Sequence, residues 1–279
     1  MPQAALSTPH PSAHPGTQPA TQFNDLFDLS GRTVLITGAT GGLGQALTWA
    51  MARQRAQVLV SDRDAEACDE LCRALAAAGH SAAALPCDLS DPAQVQALIE
   101  AAPGPFGPPQ VLVANAGMQG PAGPLHQVSD ADWAQVMALN LKSVHQLCAG
   151  LLPGMAASGQ GSIVLMASIA GLRGNAQIGL YGLSKAALAQ LARNLAVEWG
   201  PRGVRVNAIS PGLIRTPLAA GLLANDDFMR RRLAQTPLRR VGEPHEVAGL
   251  AVLLASAAGA FITGQNLVVD GGTTISDGN

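Results

Sequence analysis

From Thr33 onward the chain repeats one unit: a short β-branched run, a turn, then a longer Ala/Leu-rich amphipathic stretch. Thr33–Thr37 (TVLIT) reads as a buried strand and Leu43–Gln54 as the helix that follows it. Gln57–Ser61 predicts a second strand, with a helix from about Asp64 to Ala78. Ala82–Pro86 is a weak third strand, followed by a helix near Pro92–Ala101. The Pro103–Pro109 stretch (PGPFGPP) predicts a loop that breaks any helix. Gln110–Ala114 is the fourth strand, and Asp130–Ala157 holds a long helix with Ser129 or Asp130 as its N-cap. Ser162–Ala167, Val204–Ile209 and Asn266–Val269 bring the set to about seven strands. Strand–helix alternation with near-continuous apolar strands implies a parallel sheet covered on both faces. The expected fold is therefore α/β, a doubly wound, Rossmann-like single domain over residues 23–279.

Composition supports a packed domain and removes several functions. Hydrophobic residues make up 48% of 279 and charged residues 13%, enough for a large core. With net charge −2 and 3% aromatics, the basic footprint and stacking platform of a nucleic-acid binder are missing. The longest apolar run, Val247 to Ile262, is interrupted by glycines and serine and is shorter than the ~18–20 residues of a membrane span. It reads as a buried helix running into a turn. Residues 1–22 contain five prolines and no charged side chain, lack the marks of a secretory or transit peptide, and are expected to be a disordered tail. Cys68, Cys72, Cys87 and Cys148 have no zinc spacing and suit reduced thiols in the cytoplasm, so no metal site is expected.

Chemistry enters where the first strand ends. Thr37-Gly38-Ala39-Thr40-Gly41-Gly42-Leu43-Gly44 runs straight into a helix. Glycines there allow a tight turn and close approach of a diphosphate to the helix N-terminus, which predicts a dinucleotide site at Gly38, Thr40, Gly42, Leu43 and Gly44. Eighteen residues past Gly44 the second strand ends at Asp62. A carboxylate so placed accepts hydrogen bonds from an adenosine ribose and repels a 2′-phosphate, favouring NAD over NADP. The adjacent Arg63 argues the other way, because an arginine there can embrace that phosphate. Far downstream stands the only tyrosine, Tyr181, with Lys185 four positions later on the same helix face. A cation beside a phenol stabilises phenolate, which would lower the phenol toward the range useful for proton transfer.

In this order and spacing the motifs resemble the short-chain dehydrogenase/reductase family. They are TGxxxGxG over Thr37–Gly44, Asn115-Ala116-Gly117 after the fourth strand, Ser168, Tyr181-x-x-x-Lys185, and Pro211-Gly212 after a Val206-Asn207-Ala208 strand. The likeness extends from about Leu29 to Gly272, with Ala114 where the family often has asparagine. It implies Tyr181 as proton donor and acceptor, Lys185 as its partner, and Ser168, thirteen residues before Tyr181, as the substrate-orienting hydroxyl. It also implies that Asn140 kinks its helix and holds a water linking Lys185 to solvent. Asn115 is expected near the adenine ribose, Asp88 with Leu89 near the adenine, and Ile214 and Thr216 near the carboxamide and diphosphate. Ala116, Gly117, Pro211 and Gly212 complete the expected dinucleotide wall.

Met118, Ile169, Gln177 and Leu213 are the expected substrate wall, with Pro217–Gln235 as a helical flap above them. Arg230-Arg231-Arg232 in that flap reads as a solvated face without an anionic substrate. The Ala186–Trp199 helix has little polar surface for a free flank, and by resemblance it pairs between subunits of a homotetramer, or failing that a dimer. The expected activity is NAD-linked interconversion of a secondary alcohol and a ketone, on a sugar acid, a polyol or a 3-oxoacyl-type compound. The competing expectation is a nucleotide-sensing protein without turnover, against which the intact Ser-Tyr-Lys set speaks.

Overall fold

The computed structural model describes residues 25–276, so the predicted 1–22 tail lies outside the described residues. Elements follow in the order β1 (Thr33–Thr37), α1 (Gly42–Arg53), β2 (Gln57–Ser61), α2 (Ala65–Ala77), β3 (Ala82–Ala84) and α3 (Pro92–Ala101). Next come α4 (Pro103–Phe106), β4 (Val111–Ala114), α5 (Asp130–Met137), α6 (Ser143–Ser158) and β5 (Gly161–Met166). The chain continues through α7 (Gly179–Trp199), β6 (Val204–Pro211), α8 (Ala220–Leu223), α9 (Asp226–Ala234), α10 (Pro244–Ala255) and β7 (Asn266–Val269). The seven strands form one parallel sheet in the order β3-β2-β1-β4-β5-β6-β7.

Strand periodicity divides the core. In β1, Leu35 faces the layer of α3, α6 and α7, where it joins Leu98, Leu147 and Leu188. Its neighbours Val34 and Ile36 face the opposite layer of α1, α2 and α10, with Leu47, Leu75 and Val247. Successive strand side chains point to opposite faces, so a run apolar at every position is sandwiched between two helical layers. Helix starts follow local chemistry. Asp64, Asp91, Ser129 and Asn225 each accept a backbone N–H at the head of α2, α3, α5 and α9. Glu243 and Glu246 form a reciprocal capping box on α10.

Two predicted elements differ from those observed. Pro103–Phe106 is a single helical turn rather than a helix-breaking loop, because prolines at the first helical position have no N–H to lose. The helix expected over Asp130–Ala157 is divided into α5 and α6 by a π-helical segment at Ala138–Lys142, centred on Asn140.

The strand order reverses direction between β1 and β4, and the carboxyl ends of the strands meet there at one cleft of about 940 Å³. Open α/β sheets bind ligands at this switch point.

Candidate active site

The β1–α1 turn shapes one end of the cleft. Gly38 has φ +63°, and a Cβ on Gly44 would stand 1.9 Å from the Gly38 carbonyl oxygen, so the strand and helix meet backbone to backbone. No side chain caps α1, and its first turn carries no acidic residue. Its leading N–H groups and positive dipole end therefore suit an anion such as a diphosphate. Asp62 is pinned beside the turn: its carboxylate accepts from the Thr40 amide (3.1 Å), the Thr40 hydroxyl (2.7 Å) and the Arg63 amide (2.8 Å). Asn115 ties the turn to the sheet, donating through Nδ2 to the carbonyls of Thr37 (3.2 Å) and Gly38 (3.0 Å). Asp88 accepts from the amide and hydroxyl of Ser90, which hold its carboxyl below the usual range. Leu89, Ala116, Gly117, Pro211, Gly212, Ile214 and Thr216 line the same cleft. The residues present thus fit a dinucleotide: a glycine cradle, an uncapped helix end, and a carboxylate at the second strand.

Tyr181 and Lys185 occupy one face of α7, as their spacing predicts, with the Lys185 Nζ 5.5 Å from the phenol ring centroid. Lys185 is 3% exposed and donates to the Met166 carbonyl at the end of β5 (2.7 Å). Burial pushes this ammonium down to about 8. The phenol moves against expectation. Burial raises Tyr181 above its ordinary value, and only the Ser168 hydroxyl pulls the other way. The lysine is engaged by the Met166 carbonyl, and desolvation of the phenolate is the largest influence on the phenol. Ser168 accepts from the Ala170 amide (3.1 Å), which orients its oxygen at the head of the segment packed on α7. A Cβ on Gly182 would lie 2.7 Å from the Ala170 carbonyl, so the small residue after Tyr181 is what lets Ser168 and Tyr181 share the cleft.

Asn140 is fully buried in the π-helical segment. Its Oδ1 accepts from the Met118 amide (2.9 Å), while Nδ2 donates to the Met118 carbonyl (2.8 Å) and the Ser184 hydroxyl (3.0 Å). Ser184 in turn donates to the Tyr181 carbonyl (2.8 Å). The Lys185 Nζ and Asn140 Oδ1 lie 3.2 and 3.3 Å from the point where a Cβ on Gly117 would stand, so they converge on one spot. The helix irregularity that the resemblance implied at Asn140 takes the form of this π-helical segment.

At the far end, Met118, Ile169 and Leu213 line the cleft and Gln177 does not. The reason is local. Asn175 Oδ1 accepts from the amides of both Gln177 and Ile178, and the Gln177 carbonyl accepts from Gly123. That turn directs Ile178 to the cleft and leaves Gln177 exposed. Sequence reasoning also missed Arg173, Phe228 and Arg232, all of which line it. Arg230 and Arg231 are exposed as a solvated charge run should be, whereas Arg232 is half-buried over the Phe228 ring, 5.3 Å from its centroid. The spacing of Phe228 and Arg232, four apart on α9, was the available signal. Among the described residues no cluster of His, Cys, Asp and Glu could hold a metal, and no helix is long and apolar enough to cross a membrane.

Residues 38–274 match a family model described as enoyl-(acyl carrier protein) reductase. The chain is 41% identical over 243 residues to cis-4-hydroxycyclohexanecarboxylate dehydrogenase of Sinomonas cyclohexanicum, covering 87% of this chain and 96% of that one. It belongs to the short-chain dehydrogenase/reductases. Among solved structures of these dehydrogenases it is similar to a gluconate 5-dehydrogenase from Burkholderia cenocepacia J2315 in complex with NADP and tartrate. The TM-score is 0.87 at 32% identity, over 90% of this chain and 98% of that one. A 7α-hydroxysteroid dehydrogenase complexed with NADH and 7-oxo-glycochenodeoxycholic acid superposes with a TM-score of 0.86 at 34% identity, over 89% and 96% of the two chains. Like other short-chain dehydrogenase/reductases it is an oxidoreductase of alcohols and ketones that uses a nicotinamide dinucleotide.

Proposed function

We propose that this enzyme interconverts a secondary alcohol and a ketone with NAD, using Tyr181 as general acid and base, and that its substrate is a hydroxylated acid or polyol. The observation that carries the reading is the convergence of Ser168, Tyr181, Lys185 and Asn140 beside the glycine turn. The dinucleotide, when bound, supplies or accepts the hydride. Gly38, Thr40, Gly42, Leu43 and Gly44 would hold its diphosphate, Asp62 the adenosine ribose, and Lys185 the nicotinamide ribose. In reduction the Tyr181 hydroxyl gives its proton to the carbonyl oxygen while Ser168 Oγ donates a hydrogen bond to that same oxygen as charge builds on it. In oxidation the phenolate takes the proton of the alcohol, and Lys185 and Asn140 pass it outward through water.

The reading of NAD over NADP is supported by Asp62, whose carboxylate is held by Thr40 at the end of the second strand, since a carboxylate so placed repels a 2′-phosphate. The exposed Arg63, and the NADP held by the gluconate 5-dehydrogenase neighbour, support the opposite preference. Four free thiols suit the cytoplasm, and exposed apolar side chains near the C-terminal edge of the sheet suit a homotetramer.

The test is nicotinamide absorbance with NAD and NADP separately, over polyols, sugar acids, steroids and 3-oxo esters. Turnover is expected on a hydroxylated substrate with NAD, and Tyr181→Phe should lower kcat/KM at least ~10²-fold while the dinucleotide still binds. Tight dinucleotide binding without turnover on any member would instead indicate a nucleotide sensor.

A further inference from the structure

The cleft carries acidic side chains at one end only, where Arg63 adjoins them. Its acidic lining residues, Asp62 and Asp88, both stand at the end where β2 and β3 finish. Arg173 and Arg232 also line the cleft, near enough for the charge of one to act on the other. Arg173 comes from the segment joining Ser168 to Tyr181, and Arg232 from the last turns of α9 in the flap. Neither arginine has a carboxylate partner among the described residues, where the four ion pairs belong to Arg55, Arg215, Arg230 and Arg240.

Arg232 is the better defined of the two. Its guanidinium lies over the Phe228 ring, and its Nη1 is buried with no hydrogen-bond partner. A buried unpartnered donor on a cation is unfavourable, and a second cation nearby makes it more so. Burial, and then the charge of Arg173, push the Arg232 guanidinium below its ordinary value. A ligand anion between the two arginines satisfies the orphan donor and neutralises the repulsion. A guanidinium fork matches a carboxylate through two parallel N–H donors, which a neutral hydroxyl cannot reciprocate.

We infer that Arg173 and Arg232 bind a carboxylate on the substrate, so that the alcohol or ketone turned over is an ionised hydroxy or oxo acid. This rests on the dehydrogenase reading and narrows it. The half-buried Arg232 departs from the solvated run expected of Arg230–Arg232, and on this inference α9 is a specificity element.

The experiment is calorimetric titration of the dinucleotide-saturated protein with cyclohexanecarboxylate and with its neutral isostere cyclohexanecarboxamide. The carboxylate should bind about tenfold or more tightly than the amide. Arg173→Leu and Arg232→Leu should each abolish that preference with dinucleotide affinity unchanged. Arg173→Lys and Arg232→Lys, which keep charge and lose the fork, should show a reduced preference, and they serve should a leucine variant fail to fold. Equal binding of acid and amide, no carboxylate binding, or a preference undiminished in the lysine variants overturns the assignment. Because binding is read without turnover, anion selectivity in a protein that oxidises nothing would sink the reaction while leaving the site. Turnover of neutral ketones with no anion selectivity would do the reverse.

Discussion

Tyr181 and Lys185 bring opposite problems into one buried space. Burial raises the phenol and pushes the ammonium down to about 8, so it works against the charged form of each. A raised phenol stays protonated through neutral pH and is ready to act as the donor in reduction. Oxidation needs the phenolate, whose population grows only as pH rises. Oxidative kcat/KM is therefore expected to climb on the alkaline side while reductive kcat/KM stays level through neutrality and falls at high pH. With the ammonium at about 8 and the phenol above its ordinary value, Lys185 loses its proton first, so Lys185→Met should lower oxidative kcat/KM with little displacement of its alkaline limb. The two groups titrate as a pair, and the profile reports macroscopic values for both. An oxidative profile flat from neutral to strongly alkaline pH would contradict Tyr181 as the base.

At the scale of elements, the π-helical segment between α5 and α6 holds the site's back wall. Asn140 satisfies the amide and carbonyl of Met118 and bonds the Ser184 hydroxyl, all in a buried setting. Asn140→Ala would leave these groups unpaired, at ~1–3 kcal/mol for each buried polar group without a partner. A lower urea midpoint and a reduced kcat with unchanged dinucleotide binding are the expected results, and wild-type stability in the variant would refute the structural part. This element also marks how far the sequence could be read. Strand–helix alternation and the glycine turn are local signals, so the sheet, the turn and the Tyr181–Lys185 face were legible residue by residue. The family resemblance pointed to an irregular helix at Asn140, though not to its partners, which lie 22 and 44 residues away. Gln177 was misplaced because the Asn175 turn decides which neighbour enters the cleft. Arg232 was misread because exposure of a charge run depends on where α9 packs. That is a tertiary fact with no local signature beyond Phe228 four residues earlier.

At the scale of the whole molecule, the sheet ends in two edges, β3 and β7, and their surroundings differ. Near β7 the chain exposes Phe261, Val268 and Ile275 to solvent, and Phe261 is fully exposed. Large apolar side chains gathered at a strand edge favour association with a second copy over hydration. The expectation that α7 also pairs through an apolar flank needs revision. Gln190, Arg193, Asn194 and Glu198 are exposed along that helix, with Gln190 bonding both Arg193 and Asn194, and Leu183 and Val197 are its exposed large apolar residues. A homotetramer built from two kinds of contact would therefore have a drier interface at β7 and a more polar one at α7. Its two interfaces should respond differently to salt and to mutation. Phe261→Asp is expected to convert a tetramer to a dimer by light scattering, because a buried unpaired carboxylate opposes the apolar contact. High salt should act mainly on the α7 contact, where charged groups contribute. A wild-type mass equal to one chain at micromolar concentration would remove the assembly, and with it any role for β7 beyond closing the sheet.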